Sequence, residues 1–121
     1  MAINYTFEVE NDVLIVQSSG YDEGLENVIA FNKAVNEKAF RTGCRKIISD
    51  ERELKYTLSV FETYSLGEFV STNIREIDKI ALVVKENQEE IALFWENVTA
   101  NRRINTRVFL TMEEAKNWIR R

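Results

Sequence analysis

Apolar and polar residues alternate at the start of the chain. Ile3, Tyr5, Phe7 and Val9 fall on one side of an extended backbone, with Asn4, Thr6 and Glu8 on the other. A period of two predicts a β-strand with one buried and one wet face. Asn11-Asp12 suits a two-residue turn, and Val13 to Val16 is apolar on both faces, as in a more central strand. The spacing then changes. Leu25, Val28, Ile29, Asn32 and Val35 recur at helical intervals, behind Asp22 and Glu23, which suit the positive end of a helix dipole. Gly43 supplies a stop.

Three further cycles follow. "RKIIS" reads as a short buried strand, and Thr57 or Ser59 can cap the next helix; Ser59 with Glu62 fits a capping box. That helix carries Leu58, Phe61, Tyr64 or Ser65, and Phe69, and is expected to reach about Ile74. "KIALVV", Lys79 to Val84, is the clearest buried strand. Asn87 with Glu90 forms a second box, opening a helix with Ile91, Phe94, Trp95 and Val98 on one side. "TRVFL" is the last strand, and Thr111 with Glu114 opens a closing helix seamed by Met112, Ala115, Trp118 and Ile119.

The predicted order is ββαβαβαβα. Strands alternating with helices predict an α/β fold: a single mixed, mostly parallel sheet with an N-terminal β-hairpin, right-handed crossovers and helices over the sheet. No repeat, linker or low-complexity tract interrupts the pattern, so one domain over residues 1–121 is expected.

Composition removes several function classes. The 121 residues hold four Gly and no Pro, and 45% are hydrophobic, which suits one packed core rather than a disordered segment. The net charge of −4 argues against a nucleic-acid footprint or an anionic-membrane surface. No apolar run approaches a membrane span, and no signal-peptide pattern opens the sequence, so a cytoplasmic location is the expectation. The absence of His excludes an imidazole-based triad and the commonest zinc ligand sets. A single Cys excludes an internal disulfide. No cofactor is expected.

The fragment "RVFLTMEEAKNWI", Arg107 to Ile119, closes a strand with Phe, caps a helix with Thr and follows with a Glu-Glu-Ala…Trp seam. "CRKIISDERELKY", Cys44 to Tyr56, places an acid where the central strand ends. Together with the element order, these resemble the STAS fold of anti-sigma-factor antagonists, and more closely the bacterial STAS/SEC14-type group. The resemblance covers essentially the whole chain in pattern and implies a cytoplasmic, protein-binding regulatory domain. One departure limits it. The antagonists carry Asp-Ser-Ser or Asp-Ser-Thr followed by Gly-Leu, and here the region reads "DERELKYTLSVFE". The phosphorylation switch is therefore not carried over.

Several residues invite a chemical reading. Asp50, Glu51 and Glu53 could ligate a hard cation through oxygen; with Arg52 and Lys55 beside them they read first as a solvated turn. Thr57 and Ser59 could hold a phosphate at a helix start, or simply cap it. Cys44 could be an activated thiol beside Arg41, Arg45 and Lys46, though a buried structural cysteine is the simpler reading. Phe61, Tyr64, Phe69, Phe94, Trp95 and Trp118 could all be core. Apolar residues on more than one side of the second helix, with Gly67 as a weak point inside it, fit a docking face or a ligand pocket instead.

The expectation is a non-enzymatic binding domain that recognises a protein partner or itself. Its surface would be formed by Asp50, Arg52, Thr57, Ser59, Phe61, Tyr64 and Phe69. The alternative is a carrier or sensor of a small apolar ligand such as a lipid acyl chain, which requires a cavity of at least about 300 Å³ beneath the helices. A metal-dependent hydrolase or transferase using Asp50 ranks last.

Overall fold

The computed structural model describes residues 3–74 and 76–121. Strands β1 (Ile3–Glu10) and β2 (Val13–Tyr21) form the hairpin, in register from Ile3 opposite Gly20 to Glu10 opposite Val13. Asn11 and Asp12 take φ of 52° and 69°, as a type I′ hairpin turn requires. The chain continues through α1 (Leu25–Thr42), β3 (Lys46–Lys55), α2 (Val60–Asn73), β4 (Lys79–Val83), a 3-10 turn (Glu86–Gln88), α3 (Glu89–Ala100), β5 (Thr106–Phe109) and α4 (Met112–Ile119). The order is the ββαβαβαβα read from hydrophobic spacing.

Among the described residues the strands make one five-stranded sheet, in the order β1-β2-β3-β4-β5. β1 pairs antiparallel with β2, and all other pairs are parallel. The runs Ile47–Ile48, Ile80–Val83 and Val108–Phe109 therefore lie side by side in one layer. A sequential order with crossovers of one hand stacks α1, α2 and α3 on the same face. There Val28, Phe31, Val35, Leu66 and Val70 pack over Leu14, Val16 and Ile47. The other face is covered by α4, whose Ala115, Trp118 and Ile119 sit on Val13, Ile48, Ala81 and Val83.

Local signals explain most helix ends. Ser59 accepts from the Glu62 N–H at 3.1 Å while Glu62 accepts from the Ser59 N–H at 3.0 Å, a reciprocal cap for α2. Thr111 accepts from the Glu114 N–H at 3.2 Å at the start of α4. Gly43 closes α1 at φ 72°, a conformation that favours a residue without Cβ. The box expected from Asn87 and Glu90 does not form. Gln88 stands before α3 instead, and its side chain accepts from the Lys85 N–H at 2.7 Å. Nor is Gly67 a weak point in α2. A Cβ there would lie 2.3 Å from Val98 Cγ1, so the missing side chain is what lets α2 approach α3.

The largest correction concerns β3. Asp50 to Glu53 do not form a solvated turn; they lie inside a ten-residue strand. β2 continues beyond Gln17 to Tyr21 and gives this segment a partner, out to Tyr21 opposite Lys55. The charges that read as loop chemistry are matched locally. Asp50 is buried against Arg52, and Glu53 faces Lys85 at 3.7 Å.

Candidate functional site

Alternation along β3 divides its polar residues between two faces. Ile47, Ser49 and Glu51 lie beneath α1–α3, whereas Ile48, Asp50 and Arg52 lie on the α4 side. Between Gln17 and Ser19 the register with β2 slips: Gln17 faces Asp50 but Ser19 faces Glu53. The extra residue in β3 is a bulge, and it returns Leu54 to the side of Glu51. The Gln88 amide covers the exposed edge of this bulge, donating to the Glu51 carbonyl at 3.3 Å and to that of Leu54 at 2.5 Å.

Glu51 is the centre of a polar cluster in an apolar setting. The Tyr56 hydroxyl donates to its Oε1 at 2.5 Å and the Ser49 hydroxyl to its Oε2 at 2.8 Å. Burial raises the Glu51 carboxyl above the usual carboxylate range, against the lowering effect of those two bonds; the charges of Asp22 and Asp50 raise it further. Burial, then the Glu51 carboxylate, push the Tyr56 hydroxyl well above its ordinary value. Asp22, 3% exposed, follows β2 and accepts from both the N–H and the hydroxyl of Thr57. That strap ties the end of β2 to the segment entering α2.

On the other face, burial works to raise the Asp50 carboxyl. The Arg52 guanidinium, bonded at 2.9 and 2.8 Å, outweighs it and holds the group below its ordinary value. An acid so engaged is not an open metal ligand. Among the described residues no three His, Cys, Asp or Glu side chains converge as a metal site.

Two small adjoining cavities lie under the three helices, of about 90 and about 60 Å³. Phe31, Asn32, Glu51, Leu82 and Trp95 line both. Each is well short of the roughly 300 Å³ that an acyl-chain carrier calls for.

The residues singled out from sequence do not form one surface. Asp50 and Arg52 lie across the sheet from α2. Thr57 is engaged by Asp22 rather than capping a helix, and Ser59 is the cap. Phe69 is half-buried against the core. Phe61 and Tyr64 stay outside, 78% and 50% exposed, together with Val60 at 67%. Tyr64 also stacks under the Arg102 guanidinium, 4.6 Å from its ring centre. Cys44 is buried. Sequence reasoning missed Asp22, Asn32, Tyr56 and Thr106 and placed Glu51 in a loop. Its shared parity with Ile47 was the available signal, hidden once β3 was ended at Ser49.

This architecture can be set against known structures. The chain is similar to an anti-sigma factor antagonist from Mycobacterium paratuberculosis, with a TM-score of 0.70 at 12% identity over 99% of this chain and 96% of that one. The fold is STAS-like. It is also similar to a DUF3478-family protein with a SpoIIAA-like fold from Shewanella loihica PV-4, with a TM-score of 0.60 at 17% identity over 98% and 94% of the two chains. No protein-family model matches the sequence, and no curated protein sequence does. Among the described residues of this STAS-like chain, no helix is long and apolar enough to cross a membrane.

Proposed function

We propose that this chain is a non-enzymatic regulatory domain that docks a protein partner on the first turns of α2. The observation that carries the reading is the exposure of Val60 and Phe61, 67% and 78%, with Tyr64 beside them one turn on. Large apolar side chains grouped on one exposed turn mark partner surfaces. The turn is held in place: Ser59 and Glu62 cap it, and the Asp22–Thr57 strap anchors the segment before it. The similar antagonist, by its name, opposes another regulatory protein, which supports the same class of role here. A net charge of −4 makes a second copy a poorer occupant than a partner with a basic rim around an apolar centre.

The test is capture of partners from the native host by tagged wild type and by Phe61→Asp, alongside light scattering of each. A protein retained by the wild type and lost by the variant, with equal melting temperatures, supports the reading. Identical retention by both, or a wild-type dimer that Phe61→Asp dissociates, refutes it. Carriage of a long acyl chain is the weaker second reading, because the cavities are too small for it.

A further inference from the structure

We propose that β1 is a strand-addition edge for a second copy of this chain: two β1 strands pair antiparallel about Thr6 and join two sheets into one. The two edges of the sheet are built differently. β5 is four residues long, and its outward amides are taken within the chain. The Thr106 N–H donates to the Ile104 carbonyl at 3.1 Å, and the Val108 N–H donates to Glu96 Oε2 at 2.9 Å. A short edge with occupied donors resists a further strand. β1 is eight residues long, holds no Pro or Lys, and keeps an unbroken register with β2. Glu10 and Val13 flank the two-residue turn and so exchange a narrow pair of bonds. By alternation Glu8, Thr6 and Asn4 also bond β2. The amides and carbonyls of Tyr5, Phe7 and Val9 then point away from it, and among the described residues no group bonds them.

A second copy fits this edge because a two-fold axis at Thr6 makes the sequence its own complement. Tyr5 then lies opposite Phe7 of the other copy, Val9 opposite Ile3, Asn4 opposite Glu8, and Thr6 opposite itself. Apolar residues meet apolar ones on the α1 face, polar meet polar on the other, and no Glu stands opposite a Glu. Tyr5 and Val9, 39% and 48% exposed, are covered by the pairing. Glu10 falls beyond the paired stretch and is held by Lys116 at 3.5 Å. Four narrow pairs exchange about eight backbone hydrogen bonds, the same means by which an added peptide strand is held on a sheet edge. The net charge of −4 on each copy opposes their approach at long range. Salt screens that repulsion and favours the dimer, whereas it weakens the hold of a basic partner on α2.

This edge lies on a different element from the exposed turn of α2 and does not rest on the docking proposal. The full chain is examined by sedimentation over a wide range of concentration and by cysteine cross-linking, with Cys44 buried and out of reach. The expected result is a monomer–dimer equilibrium that moves toward dimer with protein concentration and with salt. Asn4, Thr6 and Glu8 are exposed, so a thiol is tolerated at each. Thr6→Cys sits on the axis, where residues opposite one another stand about 4.5 Å apart at Cα, and mild oxidation links it into a dimer. Asn4→Cys and Glu8→Cys each fail alone and cross-link when mixed. Tyr5→Pro removes an outward amide and no bond to β2, and weakens dimerisation about tenfold or more. Phe61→Asp leaves the dimer unchanged. A monomer at every concentration, equal cross-linking of the three single cysteine variants, or a dimer dissolved by Phe61→Asp would each overturn the proposal.

Discussion

The Tyr56 hydroxyl lies 2.5 Å from Glu51 Oε1, beneath three helices, and among the described residues no Lys or Arg lines the cavity beside the pair. Burial raises the Glu51 carboxyl, so at intermediate pH the folded chain holds a proton that the unfolded chain has released. The sign follows from linkage: stability from this group is fully present below its unfolded pKa and is lost as pH rises through the raised folded value. Glu51→Gln, which is neutral throughout, gains on the wild type as pH increases over that window. Urea denaturation of both proteins from pH 4.5 to 8 checks this; a difference that is flat or reversed in slope contradicts it. Tyr56→Phe leaves one carboxyl oxygen short of a donor and costs about 1–3 kcal/mol.

Asp50 has the opposite sign. Despite burial, Arg52 holds its carboxyl below the ordinary value, so the pair's contribution is present above the unfolded pKa and lost as pH falls through the folded one. Arg52→Ala is expected to destabilise by about 2 kcal/mol at neutral pH, a figure moderated by the partly exposed guanidinium. The deficit shrinks on acidification. Parallel denaturation curves at pH 7 and pH 3 measure both effects.

Gly67 and Val98 set how closely α2 and α3 approach. Helix propensity alone would favour Ala at position 67 by about 1 kcal/mol, but an added Cβ would meet Val98 Cγ1 at 2.3 Å. Overpacking wins, and Gly67→Ala is expected to cost about 1–3 kcal/mol. Because the clash is with one side chain, the Gly67→Ala, Val98→Ala double variant is less destabilised than the sum of the singles. Additive costs in a double-mutant cycle would show that the helices part rather than clash.

Ser59→Ala removes the side-chain half of the α2 cap and is expected to cost about 1 kcal/mol. The loss is local. Hydrogen exchange accelerates at the amide of Glu62, which donates to Ser59, and not in β4. Acceleration spread evenly over the chain would contradict this.

Element order, the turn at Asn11-Asp12, the stop at Gly43 and the caps at Ser59 and Thr111 were legible in the sequence. Each depends on residues within a few positions of one another, through alternation, helical spacing or a side chain reaching its own backbone. What tertiary structure alone decided lies in the second half of β3. Whether Asp50 to Lys55 is strand or loop depends on β2 continuing beside it, and a bulge in β3 between Asp50 and Glu53 then decides which side chains meet the cavity. Asp22 and the Glu51–Tyr56 pair come from two separate stretches of chain, and no local pattern records their meeting. Asp50 and Glu51 looked solvated because charge in sequence reads as surface; in the fold, hydrogen bonds and one guanidinium take the place of water, while Glu53 stays exposed.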